Sequence, residues 1–457
     1  RLPPVEEAPA FLADPDPNKH ERWVDALLQR PEWADHWAVK WGDLLRPNPS
    51  RVGVKPVYLL DQWIRQSLRE NKPWDRLVTE LLTATGNTHK HGPVALWRDK
   101  RDPVDAATFV GQIFLGIRLE CAKCHHHPSE KWDMTDYYQM AAFFTRMKRK
   151  GQAISAPISG EPEHWWFAPG APGIEHPVTK ATLKPRPPAA AEPDIPEDRD
   201  PRAVLAEWMT DPQNPHFARA LVNRVWSHFM GRGLVDPVDD FRASNPPSNA
   251  PLLDWLAEDF VKNGYDLKHL MRTILLSHVY RLSSEPNETN LADLTNHSRS
   301  YRRRLPAEAL LDAVSQVTET PESFTGLPPD ALAKQTWNHK LESQFLDAFG
   351  RPNSSAECPC ERDAKPSLVQ SLHLMNSTKL QAKLAAGSGR AARLAASELS
   401  PAQSVEVLYL GCFARQPLPD EMDIATAVFT TEGATRQSAI EDLLWSLLNS
   451  AEFVFNH

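Results

Sequence analysis

Nine prolines crowd the stretch from Ala168 to Pro201, both ends included, and they constrain this chain more than any other feature. Proline fixes φ and removes a backbone donor, so this stretch can join neither a helix interior nor a central strand. It also holds few large apolar residues, so it has little to bury. We read residues 151–200 as an extended surface connection between two helical domains, residues 1–150 and 201–457.

On both sides of the connection the apolar residues recur at helical spacing. Trp23, Val24, Leu27 and Leu28 form one stripe that stops at Pro31, and Leu59, Leu60, Trp63, Ile64 and Leu68 form a second. The best-defined helix follows Asp102, which can cap it, with Pro103 at its first position. Ala106, Phe109, Val110, Ile113, Phe114 and Ile117 make its apolar face. A further helix is predicted over Tyr137–Met147. Beyond the connection, three-and-four spacing marks 204–209, 217–230, 252–261, 267–276, 307–317, 405–410 and 440–448. Alternating runs are scarce, so the fold class is mostly α.

At 457 residues, 41% hydrophobic and 24% charged, the chain can build full-sized cores. Its net charge of −8 argues against a general nucleic-acid binder, which carries a basic excess. No run approaches the roughly 18 apolar residues of a membrane span. The opening Arg-Leu-Pro-Pro-Val-Glu-Glu lacks the basic start and apolar middle of a signal peptide and reads as the middle of a domain, so the amino end is expected to be truncated.

Four of the five cysteines form two tight pairs. Residues 121–125 read Cys-Ala-Lys-Cys-His, for which composition predicts on the order of 0.002 chance occurrences. Two cysteines three apart can each form a thioether to a haem vinyl group, and the adjoining His125 can then ligate the iron. Haem leads because only that chemistry requires histidine directly after the second cysteine. Other uses stay open: a Cys121–Cys124 disulfide, inert thiols, or a zinc site completed by Cys358 and Cys360, or by His125 and His127. A second iron ligand would come from Met134, Met140, Met147, His228 or His373, or the iron stays five-coordinate. Cys358-Pro-Cys360 is followed by Glu361 and Arg362, and Cys412 reads as a small buried hydrophobe.

These segments resemble a planctomycete-type cytochrome-associated pair of adjoining domains of unknown function. The run from Phe114 to Pro128, then Lys131-Trp132, Tyr137-Tyr138 and Ala141 to Phe144, carries the likeness to the first domain. Asn214 to Arg219, Val222 to Trp226, Gly231 to Pro237, Asp239 to Arg242, Asn245 to Pro247, Cys358 to Arg362 and Leu447 to Phe453 carry that to the second. The resemblance implies an exported protein, periplasmic or extracellular, from polysaccharide-using bacteria, with no activity assigned to the family.

The expectation is therefore an exported c-type haem protein with an oxidoreductase or electron-transfer role. Its partner would be a redox protein or a carbohydrate-derived substrate. Trp132, Phe143, Phe144 and the Val104–Leu119 helix would wall off the haem. The alternative is a hydrolase, lyase or glycan-binding module with the cysteines as structural zinc or disulfide. Asp236, Asp239 and Asp240 with Arg232 and Arg242 offer acid/base candidates, though capping and pairing explain them as well. Asn223 and Trp226 share a helix face with His228 nearby and suit an interior hydrogen-bond network. Trp165-Trp166 could stack on a sugar or simply pack.

Overall fold

The computed structural model describes residues 2–45, 47–126, 130–151, 160–338, 341–352, 362 and 367–456. Among them helices dominate, and strands are confined to three small antiparallel sheets. A mostly α fold is thus what the apolar spacing implied.

The chain forms two compact units, one of residues 28–301 and one of residues 1–27 with 302–457. In the first, helices α1 (Pro31–Leu45) and α2 (Val54–Arg69) pack together, as do α4 (Pro103–Phe114) and α5 (Met134–Ala142). Helix α3 (Trp74–Leu82) packs on α6 (Pro201–Thr210), and α4 also meets α7 (Phe217–Met230), which lies against α8 (Ala250–Lys262) and α9 (Leu267–Leu276). Helices from both sides of the proline-rich stretch therefore share one unit, so compactness divides the chain elsewhere than at residues 150 and 201.

The caps follow from local chemistry. The Asp102 carboxylate accepts from Val104 N, and Pro103 occupies the first turn. Asp133 and Asp136 form a reciprocal capping box at the start of α5. That helix stops at Ala142, short of the predicted Met147, and Met147–Gly151 becomes strand β2 instead. The reason is tertiary. Arg146 donates to the carbonyls of Ala168, Glu197 and Arg199, and β2 pairs with β3 (Glu163–Phe167), which also pairs with β1 (Gly86–Asn87).

The proline-rich stretch is not a free spacer. It folds a small hairpin, β4 (Ile174–Glu175) with β5 (Thr182–Leu183), against α5, and Arg186 donates to Gln139 at 2.7 Å and Asp136 at 2.6 Å. Both charge and burial fasten it, since Pro185, Pro187 and Pro188 beside Arg186 are buried.

The other unit is built around α10 (Ala307–Thr318), α11 (Arg390–Ala395), α12 (Pro401–Phe413) and α13 (Arg436–Leu448). Leu310, Val314, Leu394, Leu408, Ile440 and Leu444 meet in its core. Strands β6 (Arg303–Arg304) and β7 (Phe455–Asn456) close it.

Candidate functional site

Helix α4 delivers the cysteine-histidine motif. It ends at Gly116, whose φ of +67° reverses the chain so that Ile117 N turns back to Gly111 O at 2.9 Å. Leu119 is buried, and a short 3₁₀ turn, Glu120–Lys123, follows. On that turn Ala122 is buried, while Cys121 on it and Cys124 directly after it stand exposed as free thiols. The intramolecular disulfide left open by the sequence is not formed here.

His125 is exposed, and its Nδ1 lies 2.6 Å from the carbonyl oxygen of His126. A carbonyl only accepts, so Nδ1 is the donor in this contact and Nε2 is the ring nitrogen left for a metal. A backbone carbonyl on one ring nitrogen is the usual device that orients a metal-ligating imidazole through the other. The donors therefore fit haem attachment: two accessible thiols close together and an imidazole whose Nδ1 is engaged by the backbone, leaving Nε2 for the iron.

The expected apolar walls belong to the protein's own core. Trp132, Phe143 and Phe144 are buried in the core, with the Phe144 ring tilted against that of Trp97 at 5.7 Å. Trp132 lies just before α5, and Phe143 and Phe144 just after it.

A second segment braces the motif. Asn223, fully buried on α7, donates to the carbonyls of Val235 (2.8 Å) and Val238 (3.2 Å) and accepts from Val235 N (3.0 Å). One side-chain amide thus holds the 233–238 loop as a strand partner would. A Cβ on Gly233 would lie 2.2 Å from Val235 O, so the tight turn requires glycine. The loop then presents Phe241, whose N–H donates to Gly116 O at 2.9 Å, and Ala243, whose N–H donates to Glu130 at 2.7 Å.

The acidic candidates fall in this loop, and arginines hold them. Asp239 accepts from Gln112 (2.7 Å) and Arg118 (2.6 Å). Burial pushes its pKa up, but those two donors and the nearby Arg224 charge outweigh it and keep the carboxyl below its ordinary range. Asp240 is buried between Arg118 (3.8 Å) and Arg242 (3.3 Å), and Asp236 pairs with Arg232 at 3.6 Å. Asp239, held ionised by two donors, suits bracing better than proton transfer. His228 is elsewhere on α7, its Nε2 3.2 Å from that of His36 and its ring 4.7 Å from that of Trp37. Trp226 donates to buried His297 at 3.3 Å, so the Asn223–Trp226 face is the interior network expected.

Gln112, Glu130, Arg224 and His216 also belong to this neighbourhood, and periodicity does not reveal them. Gln112 was visible only as a polar break in an apolar helix. His216 is held neutral, its pKa lowered to about 4 by burial and then by the charges of Arg219 and Lys131. Of the zinc set, Cys358 and Cys360 lie outside the described residues, as does His127. Among the described residues no group of three His, Cys, Asp or Glu could hold a metal ion. Arg362, next to the second pair, grips buried Glu308 on α10 with two bonds of 2.6 and 2.9 Å. Cys412 is buried, its thiol pushed up to about 12 by burial, as its apolar context implied.

Two family models match the chain side by side. Residues 1–149 match PSCyt2, "Protein of unknown function (DUF1549)", and residues 201–429 match PSD1, "Protein of unknown function (DUF1553)". The chain belongs to the DUF1553 family, with a DUF1549 segment beside it. No curated protein and no solved structure matches it. In these terms DUF1549 supplies Cys121, Cys124 and His125, while DUF1553 supplies Asn223, Asp239, Asp240 and Phe241 as their brace. No helix among the described residues is long and apolar enough to cross a membrane.

Proposed function

We propose that the chain carries one haem c, held by Cys121 and Cys124 through thioether bonds and by His125 Nε2 on the iron, and that it serves electron transfer outside the cytoplasm. Each thioether forms by adding S–H across a vinyl C=C: sulfur bonds one carbon, the hydrogen goes to the other, and nothing is oxidised. The observation that carries the reading is the free, exposed pair of thiols, one on the 3₁₀ turn and one directly after it, beside an imidazole whose Nδ1–H is spent on a backbone carbonyl. The name PSCyt2 of the DUF1549 family points the same way. When bound, haem would supply reversible one-electron chemistry. The chain's own residues do the rest. Gly116, Phe241 and Asn223 fix the turn that presents the thiols, and Asp239 and Asp240 hold Arg118 in place beside it. The electron partner would be a redox protein or an oxidisable carbohydrate-derived substrate. The two donors that occupy Asp239 suit it to bracing rather than to service as a general acid.

The test is the mass of the denatured full chain after expression with haem-maturation machinery. The native sequence should gain one haem mass, and the double variant Cys121→Ser/Cys124→Ser should gain none. His125→Ala should keep the covalent haem but change its visible spectrum. No gain in the native chain, or a gain that survives loss of both thiols, would overturn the reading.

A further inference from the structure

The three-stranded sheet has two unlike faces. Glu163 and Trp165 of β3 are buried, and Trp165 Nε1 donates to Glu163 at 3.0 Å with Arg149 against its ring. His164 and Trp166 point the other way and are exposed, Trp166 at 38%. Strand register sets Lys148 directly opposite Trp166 and Lys150 directly opposite His164. Opposite residues share a face, and at about 3.3 Å per residue the two lysines sit roughly 7 Å apart along it. The outer face is therefore a row of Lys148 and Lys150 beside a row of Trp166 and His164. Among the described residues neither lysine meets a carboxylate.

We propose that this face binds an acidic polysaccharide, with one sugar ring stacked on the Trp166 indole and its carboxylate or sulfate on Lys148, the next charged group reaching Lys150. Lysines alone could be explained by edge protection, since β2 lies at the sheet edge. An exposed tryptophan beside them gains nothing from that role, and a flat apolar ring with cations along one side matches a sugar whose C–H face is apolar and whose rim is anionic. Charge decides the class of partner. The patch is positive on a chain of net charge −8, and two lysines release too few counterions to hold a nucleic acid against that background. The proposal is independent of haem attachment.

Affinity electrophoresis of the full chain in gels containing polygalacturonate, dextran sulfate or neutral dextran tests it. Retardation by polygalacturonate or dextran sulfate at low salt is expected, and the stronger of the two tells whether carboxylate or sulfate is preferred. Trp166→Ala and the double variant Lys148→Gln/Lys150→Gln should each weaken it about tenfold, with thermal unfolding unchanged as a control on folding. The proposal is overturned by mobility unaffected by both acidic polymers, by equal retardation in neutral dextran, or by undiminished retardation in both variants. Tighter binding to oligothymidylate than to either acidic polymer would overturn it too, in favour of single-stranded nucleic acid.

Discussion

One added methyl at Gly116 would approach Phe241 Cδ2 to 2.6 Å on a backbone with φ of +67°. Phe241 is one of the residues through which the 233–243 segment braces the motif, its N–H donating to Gly116 O. Gly116→Ala should therefore cost about 2 kcal/mol, from left-handed strain and ring displacement together, read as a lower urea midpoint at unchanged slope. His216 gives a second prediction at this scale. Its folded pKa lies near 4, below the ordinary histidine value of 6.5. Below pH 6.5 the unfolded chain takes up a proton that the folded chain refuses, so stability falls on acidification and the loss is complete below about pH 4. Between pH 7 and 5 the native chain should lose on the order of 1 kcal/mol more than His216→Gln, measured by urea titration at both pH values. The cysteines and His125 were legible as a spacing. That Nδ1 would find the His126 carbonyl was not, because a ring's hydrogen bond depends on backbone path.

At the scale of elements, local chemistry and partners from distant sequence divide the work. The Asp102 and Asp133 caps lie within one turn of what they cap, so α4 begins where the residues say. The end of α5 does not, because Arg146 finds carbonyls more than twenty residues away. Likewise Asn223 looks like any polar residue on an apolar helix until the 233–238 loop closes on it. Arg362 is the same kind of residue in the other unit. Burial raises the pKa of Glu308, and the Arg362 charge and its two hydrogen bonds more than reverse this, leaving the carboxyl ionised. Arg362→Leu strands that buried charge, and we expect a loss of about 3 kcal/mol in chemical denaturation. Glu308→Gln with Arg362→Leu should recover part of it, because a neutral amide costs less to bury than an unpaired carboxylate.

For the whole molecule, two separate apolar cores predict more than one unfolding transition. Calorimetry of the full chain should resolve at least two. Gly116→Ala should lower only the transition of residues 28–301, and Arg362→Leu only that of the unit containing 302–457. A single transition shifted equally by both variants would show that the chain unfolds as one block. The division itself is not written in the family boundaries, which fall at 149 and 201. Compactness follows packing, and α6 and α7 find their neighbours in α3 and α4.

Helix content, capping, the absence of an apolar run long enough to span a bilayer and the Cys-Ala-Lys-Cys-His spacing were all in the residues, since each depends on neighbours a few positions apart. Only the tertiary structure set the thiols outward and turned Trp132, Phe143 and Phe144 inward. It alone pinned Asp239 between Gln112 and Arg118 and aligned Lys148 with Trp166. Those outcomes join residues tens to more than a hundred positions apart, and no local preference encodes which distant group will meet a given side chain.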